Sequence, residues 1–259
     1  MDFLLECLGF PPSTDLAALA AHVRGAGEPV ALRGPSGEHR RLALPGGLEV
    51  RLDREEGQAH DSLWPWFEST RRLRVALESL VDVPDSPFDV LLHGRANPPL
   101  PDDPWREANG EEYSLATYLW DARRLPSALP RGHVLAVSLA GFALDVSYVG
   151  PDVGIQDPEL IEEPTGAPLM PLAGADTPGG CMQLSLVVRT IQHLENPLTH
   201  EKIERLEVDA PGRPLDLFLS RWQLETHELP APRPGWRIEG AFLFHGRVTG
   251  GLPLRGARR

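Results

Sequence analysis

Proline and glycine set the first limit on what this chain can fold into. There are 27 Pro and 25 Gly among 259 residues. Proline lacks an amide donor and fixes its own φ, while glycine makes regular structure entropically costly, so both keep helices and strands short. Long helical bundles are disfavoured on this ground. The combined share still lies below the roughly 25–30% typical of low-complexity chains. With 41% hydrophobic residues, the sequence can build a packed core, as one large domain or two ordinary ones.

The formal charge of -12 makes the whole molecule a poor non-specific ligand for phosphate backbones. The charge is unevenly distributed. Residues 183–259 hold eleven Lys and Arg against nine Asp and Glu, so the excess of acid belongs to residues 1–182. Only Cys7 and Cys181 occur, neither in a metal-ligand or redox spacing, so neither a disulfide framework nor a zinc site is expected. The apolar start from Met1 to Phe10 is broken by Glu6 and has no preceding Lys or Arg. It reads as neither a signal peptide nor a membrane span, and a cytoplasmic protein without membrane association is expected.

One amphipathic helix follows, capped at Ser13 or Thr14, with Asp15 in its first turn and Leu16, Leu19, Ala20 and Val23 on one face up to Gly25. The period then changes to two. Short strands are predicted at Val30–Arg33, Arg41–Leu44 and Leu48–Asp53, the last two joined through Pro45-Gly46-Gly47. Arg72–Leu77 fits a strand better than a helix. Phe88–His93 and His133–Tyr148 follow, the latter a hairpin or a strand bent at Gly141. Residues 151–182 are acidic and rich in Pro and Gly, as in a linker or long surface loop. Beyond them Gln183–His193, Lys202–Asp209, Leu215–Ser220 and Trp236–Val248 read as four strands.

Self-similarity runs through the chain. His93-Gly94-Arg95 precedes Leu100-Pro101 at the offset at which His245-Gly246-Arg247 precedes Leu252-Pro253, and each tripeptide follows an apolar strand. A further echo aligns Trp120, Leu125-Pro126 and Gly132 with Trp222, Leu229-Pro230 and Gly235. The expected organisation is an N-terminal segment with a helix (1–27), a β module (28–101), a β-rich insert (102–150), the acidic linker (151–182) and a second β module (183–259).

The element order of residues 183–250 resembles the OB-fold, a five-stranded Greek-key barrel: a long strand, a polar turn, a strand ending at Pro211-Gly212, a strand, a connector with Trp222, then Pro234-Gly235 and a long closing strand. The fold class is therefore mainly β with minor α, built from two related small barrel-like modules. The resemblance implies a binding face on the second and third strands, used across this fold for single strands, oligosaccharides or proteins. Strand parity places Phe218 opposite the core-facing Leu215, Leu217 and Leu219, and groups it with Arg189, Arg205, His245 and Arg247. An exposed Phe among arginines would combine a stacking platform with phosphate donors, although Glu207, Asp216 and Glu239 lie among them.

No zincin, Walker, dinucleotide-binding or nucleophile-elbow motif occurs, and no cofactor is implied. Cys181 is the one candidate nucleophile, and nothing local lowers its pKa. The carboxylate pairs Asp102-Asp103, Glu111-Glu112 and Glu162-Glu163 are adjacent in sequence, which does not supply the convergent geometry of acid/base work. The sequence therefore points to a non-enzymatic binding protein, with another protein as partner. The alternatives are single-strand or oligosaccharide binding by the C-terminal module, and an enzyme using Cys181.

Overall fold

Two segments without strand structure pack under the first sheet. The computed structural model describes residues 2–32, 36–83, 86–99, 112–126, 129–150, 168–172 and 179–252. Asp2–Leu8 winds into a 3-10 turn that buries Leu4, Leu5, Cys7 and Leu8, which explains an apolar start too short to span a membrane. Helix α1 (Leu16–Ala26) starts where Asp15 Oδ1 accepts the amides of Ala17 and Ala18, both at 3.0 Å. It buries Leu19, Ala20 and Val23. Each of the larger two contributes roughly 1.5–3 kcal/mol of transfer free energy.

The first sheet is antiparallel: β1 (Glu28–Pro29), β2 (Gly37–Ala43), β3 (Leu48–Glu55) and β4 (Ser62–Phe67). The β2–β3 connection is the one read from Pro45-Gly46-Gly47, with Gly46 and Gly47 at φ 77° and 85°. β1 lies slightly before the predicted Val30–Arg33 run, although the Val30 amide still bonds to the His39 carbonyl at 2.9 Å.

The second sheet holds β5 (Leu73–Val83), β6 (Ser86–Ala96), β7 (Tyr113–Leu119), β8 (Val134–Val149), β9 (Leu169–Pro171), β10 (Cys181–Glu195), β11 (Lys202–Val208), β12 (Leu215–Leu219) and β13 (Arg237–Gly250). Its pairings close on themselves twice. In one ring β5, β6 and β7 pair antiparallel in turn, β8 returns antiparallel to β5, and β13 closes beside β7 in parallel. In the other, β10, β11 and β12 pair antiparallel in turn, β13 returns antiparallel to β10, and β8 closes beside β12 in parallel. Each ring has the strand order of an OB barrel. The fourth strand of each serves as the fifth strand of the other, and β8 and β13 pair along most of their lengths.

This arrangement relocates the internal similarity. His93-Gly94-Arg95 stands on β6, the second strand of its ring, whereas His245-Gly246-Arg247 stands on β13, a fourth strand. The two tripeptides are therefore not equivalent positions. The Trp-Leu-Pro-Gly series does match: Trp120 to Gly132 and Trp222 to Gly235 each connect a third strand to a fourth. Helix α2 (Arg221–Thr226), capped by Ser220, occupies that connection in the second ring and a short turn at Ala122–Arg124 occupies it in the first. Gly141 of β8 and Gly246 of β13 face leucines of the parallel third strands. A Cβ there would lie 2.6 Å from Leu217 Cδ2 or 3.2 Å from Leu119 Cδ2, so glycine lets the shared strand approach its neighbour. No hairpin occurs at Gly141, because β8 is a single strand through it.

The pairing places residues 28–67 in their own sheet and draws the rings from 73–149 and 181–250. Most of the linker stretch (151–167 and 173–178), part of the insert (102–111), Leu100-Pro101, Pro253, Asp102-Asp103, Glu111 and Glu162-Glu163 lie outside the described residues.

Candidate functional site

The face that the OB resemblance marks for ligands is covered by the chain itself in the second ring. Arg205 and Phe218 are cross-strand partners, as are Glu207 and Asp216. Sequence parity predicts all four on an open surface. Instead Phe218 is fully buried, stacked on Phe142 at 5.4 Å and capped by Phe67 at 5.0 Å. Residues 66–72, which lead from β4 into β5, lie over this face. Asp216 is buried and accepts from Ser69 Oγ at 2.5 Å, Arg71 Nη1 at 2.5 Å and Arg205 Nη2 at 2.9 Å. Arg71 also pairs with Glu207. Arg205 lies 4.6 Å over the Phe67 ring, and the exposed Arg189 pairs with Asp209 at 3.1 Å and Glu207 at 3.5 Å. The physical reason is that a buried carboxylate demands counter-charges and donors, and the connector supplies two of them. Phe218 thus offers no stacking platform, and these arginines are committed to carboxylates.

The equivalent face of the first ring is covered in the matching way. A Cβ on Gly179 would meet Leu91 of β6 at 2.9 Å, one on Gly180 would meet Tyr118 of β7 at 3.0 Å, and the Gly180 carbonyl accepts from Phe244 N at 2.9 Å. In both rings the segment entering the other ring's first strand does the covering.

His245 and Arg247 lie elsewhere, where the first sheet packs on the first ring. One face of β3 presents Val50 and Leu52 to the apolar core. The other presents Glu49, Arg51 and Asp53, and all three are buried too. Arg247 forks onto Glu49, with Nη2 at 2.8 Å, and lies 4.9 Å over the Trp66 ring. Arg51 bonds to Asp53 through Nε at 2.5 Å and to Asp89 through Nη2 at 2.7 Å, and its guanidinium lies 4.9 Å over Trp120. His39 donates from Nδ1 to the other oxygen of Asp53 and stacks on Phe88. Burial works against the Arg51 charge, but Asp53 and Asp89 outweigh it and raise its pKa. Burial likewise pushes the Asp53 carboxyl up, and Arg51 with His39 prevails to hold it below the usual carboxylate range.

His245 pairs with Ala140 at the crossing of the two shared strands and is 1% exposed. Its Nδ1 donates to the Pro65 carbonyl at 2.9 Å, and Trp64, Trp120 and Phe142 surround the ring at 5.3–5.7 Å. Burial, aided by Arg51 and opposed by the Pro65 carbonyl, pushes its pKa down to about 3. It is a neutral core histidine and a poor ligand for anything outside.

Two clefts open where this buried polar layer reaches the surface, and they differ in sign. A cavity of about 600 Å³ is lined by Asp53, Glu55, His60, Trp64, Asp82, Phe88 and Arg123, with acid in excess. A second, of about 290 Å³, is lined by Arg41, Arg51, Arg124 and Arg247 around Trp120, with Glu28 and Asp121 as its acids. Sequence reading did not find this layer. The available signal was the alternation Glu49-Arg51-Asp53, which resembles an ordinary solvated strand face until Trp64 and Trp66 are placed beside it.

Next to the acidic cleft the first ring has an open edge. β8 pairs with β5 only through Leu73–Ala76, after which Leu77 bonds to His133 and Gly132. From Glu78 to Val83, the β5 backbone bonds to β6 alone among the described residues, while the Asp82 side chain pairs with Arg123. Leu80 and Val81 are 36% and 46% exposed on opposite faces of that edge.

Burial raises the Cys181 thiol to about 11 and the Cys7 thiol to about 12, so both are protonated at neutral pH. No cluster of three or more His, Cys, Asp or Glu suited to a metal occurs among the described residues, and no helix is long and apolar enough to cross a membrane. No family model, curated protein or solved structure matches the chain.

Proposed function

We propose that this is a non-enzymatic binding protein whose partner is another protein, taken up as an extended segment along the open edge of β5. The observation that carries the reading is the run Glu78–Val83, bonded on one side only and bearing two exposed apolar residues on a hairpin that stands clear of the ring closure. An unpaired edge offers a row of amides and carbonyls, and added strands recognise it through backbone bonds with alternate side chains supplying specificity. The edge ends beside the acidic cleft, which Asp82 and Val83 help to line. The charge of -12 favours approach of a basic partner. The segment that fits is extended, with adjacent apolar residues against Leu80 and Val81 and a Lys or Arg reaching Glu55 and Asp82.

The test is selection from a displayed library of random octapeptides against the intact protein. The reading expects enrichment of sequences with a neighbouring apolar pair and a basic residue, and loss of at least ~tenfold in affinity with Leu80→Lys or Val81→Lys, which place a charge on the edge. Both positions are exposed, so folding is preserved and is checked by thermal unfolding. Peptides that bind both variants as tightly as the unaltered protein contradict it, as does a selection without a consensus.

A further inference from the structure

The smaller cleft carries a second, independent binding site. We propose that it holds an oxyanion, the carboxylate or phosphate head of a small molecule, between Arg41 and Arg124.

Four guanidinium groups converge there, and they are not equally committed. Arg51 is neutralised by Asp53 and Asp89 behind the cleft wall, and Arg247 is held by Glu49. These two form a fixed, charge-paired back to the cavity. The Arg124 guanidinium is exposed and forms no side-chain hydrogen bond or ion pair among the described residues, although it interacts electrostatically with Asp121. Arg41 reaches Glu49 only at 3.8 Å, and its Nε is buried without a hydrogen-bond partner among the described residues. A buried donor of this kind costs free energy unless something accepts from it. Arginine's fork of donors matches the two oxygens of a carboxylate or a phosphate.

The acids near the cleft do not cancel this. Glu49 lies behind Arg247. Asp121 accepts from the Val248 amide at 3.1 Å, and burial raises its pKa against that amide and the charges of Arg247 and Arg124, so one carboxylate is shared between two arginines. Glu28 is the informative one. It is 77% exposed at the mouth, yet its Oε2 sits 3.2 Å from Arg41 Nη2. A carboxylate is thus already seated on one of the two arginines, in the geometry that an incoming oxyanion would take. Glu28 is the competitor that a ligand displaces. Trp120 also lines the cavity, so the remainder of the ligand has an aromatic neighbour.

The test is calorimetric titration of the intact protein with inorganic phosphate and, separately, with benzoate. Binding of one or both with millimolar or better affinity is expected, and which of them binds decides between the phosphate and the carboxylate. Arg124→Gln and Arg41→Gln each weaken it at least ~tenfold, since each removes a charge-assisted contact. Glu28→Gln strengthens it severalfold by removing the internal competitor, an effect that a merely structural role for these residues would not produce. Arg123→Gln, on the neighbouring acidic cleft, leaves it unchanged. Absence of binding by both anions at ~10 mM overturns the proposal, and so does a loss in Arg123→Gln equal to that in Arg124→Gln, which marks general surface attraction. Peptide binding at β5 is unaffected by these variants, so the two sites stand or fall separately.

Discussion

Replacing Arg51 by methionine is expected to lower the unfolding free energy by about 3–5 kcal/mol, the range for removing one member of a buried charge network. Arg51 is 1% exposed, and its departure leaves Asp53 and Asp89, at 4% and 5%, without the guanidinium they share, Asp53 keeping only His39. The methionine retains most of the aliphatic stem but loses the guanidinium that lies over Trp120, so the loss reports the stranded carboxylates together with that contact. Two controls sharpen the result. Asp89→Asn added to Arg51→Met recovers part of the loss, because one of the two stranded charges is gone. Arg123→Met, whose side chain is about a quarter exposed and pairs with Asp82 at the surface, costs under ~1 kcal/mol. Urea unfolding of the three variants measures all of this. A loss for Arg51→Met no larger than for Arg123→Met would show that the layer between the first sheet and the first ring is solvated rather than sealed.

The second large effect lies in pH. His245 has a folded pKa pushed down to about 3 from an ordinary value of 6.5. Between those values the unfolded chain binds a proton at this residue and the folded chain does not. Stability from His245 is therefore complete above about pH 6.5 and falls as the pH drops toward 3, by an amount on the order of a few kcal/mol. Substituting phenylalanine keeps an aromatic ring between Trp64, Trp120 and Phe142 while removing the titration. His245→Phe loses some stability at pH 7, where the Pro65 carbonyl is left without its donor, but declines less between pH 6.5 and 4 than the unaltered protein. Comparing the two at each pH isolates the histidine from Asp53 and Glu38, whose depressed pKa values also withdraw stability in acid. Parallel pH profiles for the two proteins would contradict the buried, neutral His245.

These results bear on how far the sequence could be read. Local chemistry was legible in part: α1 starts within two residues of the expected cap, at Asp15 rather than Ser13 or Thr14, Pro45-Gly46-Gly47 turns β2 into β3, and alternation marks β3, β6, β8 and the strands from β10 to β13. The Trp-Leu-Pro-Gly echo also carried true information, because it belongs to equivalent connections in the two rings. What failed was any inference that treated one strand as having one covered face. Phe218 and Arg205 obey parity within β12 and β11, yet their outward side is covered by residues about 140 positions earlier, and period-two patterning contains no record of that contact. The same holds for β3, where Glu49, Arg51 and Asp53 resemble a wet face and are sealed by Trp66, Trp120 and Asp89. Shared strands were illegible for a related reason. Nothing in the composition of β8 or β13 tells that each completes the other's ring, beyond Gly141 and Gly246, whose role appears only when Leu217 and Leu119 are placed beside them.

Hydrogen exchange reads directly where a partner docks. In the free protein the amides of Glu78–Val83 that point away from β6 exchange rapidly, as an open edge should. Addition of a selected octapeptide is expected to protect these amides, with no gain over β11 and β12, whose outer face is already closed by Phe67, Ser69 and Arg71. Protection that appears on β11 and β12 while the edge of β5 continues to exchange would contradict docking at β5.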